Sequence, residues 1–291
     1  MNEEKKDILL EKEISDETSI DEKTDNQEKK VEIKTKPSTI KVPIDYLKYI
    51  ISGEDFYINE NIILHNPTIK EVIEFGEQKY LQLVSILTMR PYDDMVGLDD
   101  AGLNYQDFTD FDMFLRNYKA ITPDMSSIIL PDLDLTEFVV AVKNDTGMTV
   151  LLHQEKQIVI DELVFAYIAG FVRTINFISS KLEYDVGNEI TRQYLIKKKR
   201  KAIQRKAKKP PKPFESFLSN IISFLCSHTG CKYNYDSILN LTIGQIYDNY
   251  YRISAIDERE RYLNILSTGM VKRDTTDTKK LNWTRNLIDD E

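Results

Sequence analysis

Three groups of side chains in this sequence are of types that carry chemistry, and the first is a cysteine–histidine group. Cys226, His228 and Cys231 place two thiols and one imidazole within six residues, and all three are side chains that bind zinc. A structural zinc site needs a fourth ligand, and His65 and His153 lie too far along the chain to be assigned that place. The sequence supports a Cys226–His228 nucleophile pair even less than a zinc site, because nearby positions on a helix point to different faces. We interpret the group as structural side chains at a helix end.

The second group is acidic and lies between residues 93 and 112. Its members are Asp93, Asp94, Asp99, Asp100, Asp107, Asp110 and Asp112. A calcium-binding loop needs oxygen ligands at alternating positions, a fixed glycine and a terminal glutamate. Because the spacing here lacks that pattern, we predict a solvated acidic surface and no metal site.

The third group is a basic run, which is the strongest signal in the sequence. Residues 192–212 hold eleven Lys and Arg residues and no acid, although the whole chain has a net charge of −9. Such a segment can bind nucleic-acid phosphates, dock on an acidic surface of a partner or of its own chain, or remain a solvated helix face. Base stacking needs interleaved aromatic side chains, and only Tyr194 and Phe214 flank the run. The candidate partner-binding residues in it are Lys197, Lys198, Lys199, Arg200 and Lys201.

Sequence motifs of the common enzyme classes are absent. The sequence contains no Walker-type loop, dinucleotide-binding glycine pattern, nucleophile elbow or His-Glu-x-x-His motif. Ten glycines in 291 residues are also few for loops that cradle phosphates. We therefore predict a protein that is not an enzyme and uses no cofactor.

Composition predicts which part of the chain is folded and in which cellular compartment the protein is found. Residues 1–40 hold twelve acids, eight lysines and no aromatic side chain, so burial there cannot offset the entropy of ordering, and we predict a disordered tail. Two cysteines in a chain of this length fit a reducing, intracellular compartment. The N-terminus has no apolar signal segment, and the most apolar stretch, residues 163–178, contains Arg173 and is too short to span a membrane.

The periodicity of apolar residues predicts a mainly α fold with a minor β-hairpin component. We expect helices over residues 68–89, 108–118, 161–178, 189–209, 214–228, 236–241, 242–253 and 257–267. We expect short strands around a turn at 59–61 and a hairpin of 137–143 with 148–152, with a third strand within 153–160. The chain then divides into a disordered acidic tail 1–40, a mostly helical domain 41–190, a basic helix and proline-rich linker 191–213, and a C-terminal helical module 214–291.

Two helices carry specific packing expectations. In the helix that starts at Asp161, the predicted buried face is Leu163, Tyr167, Gly170, Phe171, Thr174, Phe177 and Ile178. In the C-terminal module, Gly230 is predicted to end a helix in a left-handed conformation. Tyr247, Tyr250, Tyr251 and the single Trp283 are the remaining candidate partner-binding residues, and we also expect Trp283 to pack on the module and close it.

Three stretches resemble a group of tail assembly chaperones and related tail morphogenesis proteins from phages of Gram-positive bacteria. They are NPTIKEVIEFGE at residues 66–77, IGQIYDNYYRI at residues 243–253 and LNWTRNL at residues 281–287. The order of an N-terminal domain, a long helix with a basic stretch and a small helical module is also similar. The resemblance covers residues 60–290, and the charged tail before them departs from the pattern.

The resemblance implies a non-enzymatic tail assembly chaperone in the host cytoplasm, with the tape measure protein as its partner. Such chaperones coat that long helical protein until the tail tube forms around it, and the apolar helix stripes here would suit a partner helix in a groove. Two alternatives stay open, a structural virion protein of the baseplate or tail connector and a nucleic-acid-binding regulator that uses residues 192–212. Self-association is compatible with each, and none involves a membrane.

Overall fold

The structure is a computed structural model that describes residues 40–143, 147–179, 188–268, 281–285 and 287–288. These residues are mainly helical with two small antiparallel sheets, which confirms the predicted fold class. The predicted disordered tail and the turn at residues 144–146 lie outside them, apart from Ile40. No helix of the described residues has the length and apolar character that a membrane crossing requires.

The elements follow one another in the order that the sequence predicts, with short 3-10 turns between them. The strands are β1 Phe56–Asn59, β2 Ile62–Leu64, β3 Val139–Val142, β4 Thr149–His153 and β5 Ile158–Ile160. The helices are α1 Ile69–Phe75, α2 Glu77–Thr88, α3 Met95–Asp100, α4 Asp110–Asn117, α5 Glu162–Ile175, α6 Glu189–Ala207, α7 Phe217–Ser227, α8 Tyr235–Ile238 and α9 Ile243–Ser267. Strands β1 and β2 form one hairpin, and β3, β4 and β5 form a three-stranded sheet in that order.

The single helix predicted over residues 68–89 is two helices, α1 and α2, which meet at Gly76. Thr68 caps α1 as expected, since its hydroxyl accepts from the Glu71 N–H while the Glu71 carboxylate accepts from the Thr68 N–H. Gly76 has a φ of 101°, a backbone conformation that is strained for residues with a Cβ atom. The apolar period continues across the break, and for that reason the pattern indicated one helix.

Helix α5 is central to the fold, and its buried face differs from the one that we predicted, with only Phe171 in common. Asp161 caps it by accepting from the Val164 N–H at 3.0 Å. The buried side chains are Phe165, Ile168, Ala169, Phe171, Val172 and Ile175. Leu163, which we expected inside, is exposed, and Tyr167, Gly170, Thr174, Phe177 and Ile178 are only half-buried. The reason is that α2, α4 and α9 pack on sides of the helix that the predicted face did not include.

The buried side chains form a main core and a second, smaller one. The main core runs from the N-terminal elements through α5 into α7, α8 and α9. The smaller one, which we call the satellite core, contains Met95, Val96, Leu98, Tyr105, Met113 and Ile196. Five of these lie in the region of α3 and α4, and Ile196 comes from α6. The long basic helix is therefore held by a small core of its own.

The C-terminal helices pack directly on the N-terminal part of the body. The Ile243 N–H donates to the Pro67 carbonyl at 2.9 Å, and the Ile69 N–H donates to the Leu241 carbonyl at 2.8 Å. The two helices predicted over 242–253 and 257–267 are the single helix α9, because residues 254–256 include neither Gly nor Pro and Ala255 is buried.

The predicted left-handed cap at Gly230 is also wrong. Gly230 is not among the glycines with positive φ, and α7 ends when the His228 N–H bonds to the Phe224 and Leu225 carbonyls. The turn that follows is closed by a side chain instead, since the Gly230 N–H donates to Nδ1 of His228 at 3.0 Å.

Candidate interaction site on the basic helix

Helix α6 begins at a regular cap and carries the basic run along both of its sides. The Asn188 side chain accepts from the Thr191 N–H at 2.8 Å, so it fixes the first turn. Side chains at spacings of three and four share a face of such a helix. Arg192, Ile196, Lys199 and Arg200 therefore lie on one side, which we call the anchored face. Lys197, Lys198, Lys201, Arg205 and Lys208 lie on the opposite side, which we call the cationic face.

The anchored face is attached to the body by Ile196. This side chain is 1% exposed and packs in the satellite core beside α3. Leu195 is half-buried against the same core. Burying one isoleucine contributes about 1.5–3 kcal/mol, which is enough to hold one stretch of the helix against the body.

Lys199 is a cation of the anchored face that bonds backbone carbonyls of the body. Its ammonium donates to the backbone carbonyls of Tyr92 at 2.8 Å and Asp93 at 2.7 Å, and it lies 4.8 Å from the centre of the Tyr92 ring. Burial lowers the pKa of Lys199, while the nearby Asp93 and Asp94 carboxylates act in the opposite direction. Lys199 thus bonds the segment before α3 to α6.

Arg200 and Arg192 are neutralised within the chain. The Arg200 guanidinium donates to Asp99 at 2.9 Å and also to Asp100, and these hydrogen bonds raise its pKa. Arg192 bonds both carboxylate oxygens of Glu189 and lowers the pKa of Glu189 to about 2. The basic run therefore has an acidic partner inside its own chain, one of the possibilities that the sequence left open.

These contacts correct our interpretation of the aspartates as a solvated surface. The Asp99 carboxylate accepts a hydrogen bond from Arg200. Asp110 is buried, and its carboxylate accepts a hydrogen bond from Arg173 at 2.7 Å. Arg173 also donates to the Thr88 carbonyl, so the pair bridges α5, α4 and the end of α2. Burial raises the pKa of Asp110 and lowers that of Arg173, and their attraction opposes both shifts. Acidic residues of this segment thus have structural roles.

The cationic face has no such neutralising partner. Lys197, Lys198, Lys201, Arg205 and Lys208 are all exposed, and their charged groups make no ion pair or hydrogen bond with any residue that the structure describes. Lys206, Lys209 and Lys212 are exposed as well and continue the charge into the proline-rich linker. Ile190 and Tyr194 stand at the start of the same face and are 84% and 64% exposed. The result is one uninterrupted positive surface with an apolar end.

The C-terminal aromatic candidates are packing residues in large part. Tyr247 is buried, stacks on Phe217 and lies tilted against Phe177, and burial is the largest cause of its raised pKa. Tyr250 and Tyr251 are half-buried and contact the Phe217, Phe224 and Phe177 rings. These rings join α7 and α9 to the end of α5, so partner binding through them stays a prediction.

Trp283 is attached mainly through its backbone. Its side chain is 41% exposed. The Arg252 guanidinium of α9 donates to the Trp283 carbonyl at 2.7 Å and to the Arg285 carbonyl at 3.1 Å. The segment therefore docks on α9 through these carbonyls while leaving part of the indole accessible, and its role in partner binding also stays a prediction.

The cysteine–histidine group forms a local structure. Nδ1 of His228 accepts from the Gly230 N–H, so Nε2 carries the proton toward Asp257, 3.2 Å away. Both cysteines are unbonded thiols, and burial raises the pKa of Cys226. Among the described residues, no cluster of three or more His, Cys, Asp or Glu side chains could hold a metal ion.

From the last turn of α6 onward, the chain is similar to a phage-associated domain. Residues 206–287 match the family model described as the YomV second domain. That domain is phage-associated, and the match extends from the last turn of α6 through α7, α8 and α9 to the segment around Trp283. No curated protein and no solved structure matches the chain.

Sequence reasoning missed how the charges divide between the two faces. The candidate set of residues 197–201 mixes Lys199 and Arg200, which are used inside the chain, with three exposed lysines. It also left out Arg205 and Lys208, which continue the exposed side. The spacing of three and four between Lys197, Lys201, Arg205 and Lys208 is a signal that could have identified the cationic face.

Proposed function

We propose that this chain is a non-enzymatic phage tail assembly factor of the host cytoplasm that binds an acidic segment of a partner protein along the cationic face of α6. The observation that carries the proposal is the contrast on one helix: the cations of the anchored face have partners within the chain, and those of the cationic face have none among the described residues. A dense exposed charge of one sign steers an oppositely charged partner and fixes its register.

The tape measure protein is the partner that we propose. Two observations support this choice, the phage-associated domain at residues 206–287 and the resemblance of three stretches to tail assembly chaperones. The helix rises about 1.5 Å per residue, so the cationic face from Lys197 to Lys208 is about 17 Å long and would contact about three turns of a partner helix. We therefore expect the bound segment to be helical with several Asp or Glu residues on one side.

The test compares two variants with the same change in net charge. One carries Lys197→Gln, Lys198→Gln, Lys201→Gln and Arg205→Gln on the cationic face. The control carries Lys41→Gln, Lys70→Gln, Lys119→Gln and Lys232→Gln, four exposed lysines outside α6. We expect the cationic-face variant to lose about tenfold or more in affinity for the purified tape measure protein, or about 1.4 kcal/mol, and the control to retain its affinity. The salt dependence of binding should become weaker in the first variant only.

Two results would contradict the proposal. Equal affinities of the two variants would show that net charge alone, and not this face, determines binding. Sequence-selective binding of DNA or RNA at physiological salt, lost with the cationic face, would favour a nucleic-acid regulator. Mass spectrometry of purified virions distinguishes an assembly factor from a structural protein, because an assembly factor should be absent from the finished particle.

A further inference from the structure

The cationic face of α6 begins with two apolar side chains that the fold does not use. Ile190 is 84% exposed, the largest exposed fraction of any large apolar side chain that the structure describes. Tyr194, one turn later, is 64% exposed. Neither belongs to the main core or to the satellite core, and both residue types favour a helix less than lysine or glutamate does. Packing and helix propensity therefore leave these two residues unexplained.

The two side chains lie in line with the exposed cations. At steps of three or four residues, the exposed positions of this line are Ile190, Tyr194, Lys197, Lys201, Arg205 and Lys208. At 3.6 residues per turn, they fall within about 80° of one another around the helix. With a rise of about 1.5 Å per residue, the line is about 27 Å long. One straight partner helix can thus contact the apolar end and the cations together.

The apolar end carries no net charge, unlike the rest of the line. Glu189, beside Ile190, bonds Arg192 through both of its carboxylate oxygens and accepts from the Gln193 side chain at 2.9 Å. The two opposite charges of this pair cancel within the first turn of the helix. The line therefore has two parts of different chemistry, a neutral apolar part at residues 190–194 and a positive part at residues 197–208.

We propose that Ile190 and Tyr194 form the apolar end of a two-part site, whose occupant is a helical partner segment with carboxylates along one side and a large apolar side chain beyond them. The inference rests on the proposed function, since it specifies the segment that the cationic face binds. Charge complementarity selects the carboxylates. The exposed isoleucine and tyrosine select the apolar side chain, because covering them removes apolar surface from water.

A single-stranded nucleic acid fits this arrangement less well than an acidic helix does. Base stacking needs aromatic side chains interleaved with the cations, and Tyr194 is the only aromatic residue of α6. It stands before the first lysine of the line and not among the cations. The order of the side chains therefore favours a protein partner.

Salt separates the contributions of the two parts of the site. Attraction between exposed charges falls as ionic strength rises, because ions screen it, whereas contact between apolar side chains depends on sodium chloride only weakly. Loss of the apolar end should therefore weaken binding by nearly the same factor at every salt concentration. Loss of the cations should instead reduce the slope of affinity against salt.

The probes are two fluorescein-labelled peptides, whose binding to the full chain is followed by fluorescence anisotropy over a sodium chloride series. The first has an alanine background that favours a helix, glutamates along one side and a pair of leucines beyond each end of them. With leucines at both ends, either direction of binding places one pair on Ile190 and Tyr194. The second peptide has glutamine in place of the leucines. We expect the leucine peptide to bind about fivefold more tightly at every salt concentration.

Matched variants assign this preference to the apolar end. Ile190→Gln with Tyr194→Gln should remove the preference for the leucine peptide and leave the salt dependence unchanged. The control is Ile73→Gln with Tyr57→Gln, an isoleucine and a tyrosine that are 51% and 65% exposed outside α6, and it should keep the preference. The cationic-face variant should bind both peptides weakly and with a shallower salt slope. Circular dichroism of each variant verifies that it is folded.

Three results would overturn the inference. Equal affinities of the two peptides for the unmutated chain, with the salt dependence intact, would exclude the apolar end and leave the cationic face as the whole site. An equal loss of preference in the control variant would show that the effect is not specific to α6. Oligothymidine binding that Tyr194→Gln weakens would indicate base stacking and a nucleic-acid partner. A different result, in which neither peptide binds the unmutated chain, would count against the proposed function itself.

Discussion

The two halves of helix α6 have opposite surroundings. Ile196 and Ile203 are seven residues apart and therefore share a face of the helix. Ile196 is buried in the satellite core, whereas Ile203 is half-exposed. The difference arises because α3 and the aspartates beside it cover only the first half of the helix. Whether a basic helical residue is structural or available to a partner thus depends on where the neighbouring element ends.

The same contrast applies to the charges. Lys199 and Arg200 contact carbonyls and carboxylates of the α3 region, while Lys198 and Lys201 beside them in sequence contact solvent. The cations of the anchored face attach the helix to the body. The last turn of the helix leads into the stretch that is similar to a phage-associated domain, from residue 206 onward, and its lysines are exposed. Three matched pairs of substitutions test this division.

The comparison of Ile196→Ala with Ile203→Ala should give the largest difference in the free energy of unfolding. Removing the buried Ile196 side chain should lower the free energy of unfolding by about 2–4 kcal/mol, because it leaves a cavity in a small core. The same change at the half-exposed Ile203 should alter it by less than about 0.5 kcal/mol. Urea denaturation followed by circular dichroism measures both. Similar losses at the two positions would mean that the distal half is also packed.

Lys199→Gln against Lys198→Gln compares two neighbouring lysines. We expect the loss of the Lys199 ammonium, with its two carbonyl bonds and its position over Tyr92, to destabilise the protein by about 1–2 kcal/mol. Lys198→Gln should leave the unfolding midpoint unchanged and should instead weaken partner binding. A stable Lys199→Gln protein with impaired binding would reverse the assignment of the two faces.

Arg200→Gln against Arg205→Gln should give the smallest effect on stability. Arg200 bonds two carboxylates at the surface, and exposed ion pairs of this kind are screened by salt. We expect a slightly lower melting temperature for Arg200→Gln in low salt that returns to the unmutated value in high salt. Arg205→Gln should show no change in either buffer. A salt-independent loss at Arg200 would indicate a packing role for its side chain.

Local sequence signals were sufficient for most elements of the fold. Asp161, Thr68 and Thr242 each cap the helix that was predicted to start at that residue. The hairpin of β3 and β4 and the strands around residues 59–61 also lie where alternation and turn residues indicated. These signals act within a few residues, so they can be read without knowledge of the rest of the chain.

Errors occurred where backbone conformation or distant packing was decisive. Gly76 divides one periodic stretch into two helices through its positive φ, and a turn closed by His228 replaces a glycine cap at residue 230. Asp110 could not be recognised as buried, because Arg173 is 63 residues away in the sequence. The aromatic residues Tyr247 and Tyr251 were indistinguishable from an exposed stripe until Phe177 and Phe217 were placed beside them.

The amino-acid pattern alone is sufficient to predict a mainly helical fold and a concentrated basic helix, and it contains no motif of a common enzyme class. These properties follow from residue types and short spacings, which are local. The packing of distant elements sets which cations of that helix are neutralised and which are exposed, and which strand lies at the edge of the sheet. Both outcomes depend on contacts between residues about a hundred positions apart, or on where a neighbouring element stops, and no local pattern contains that information.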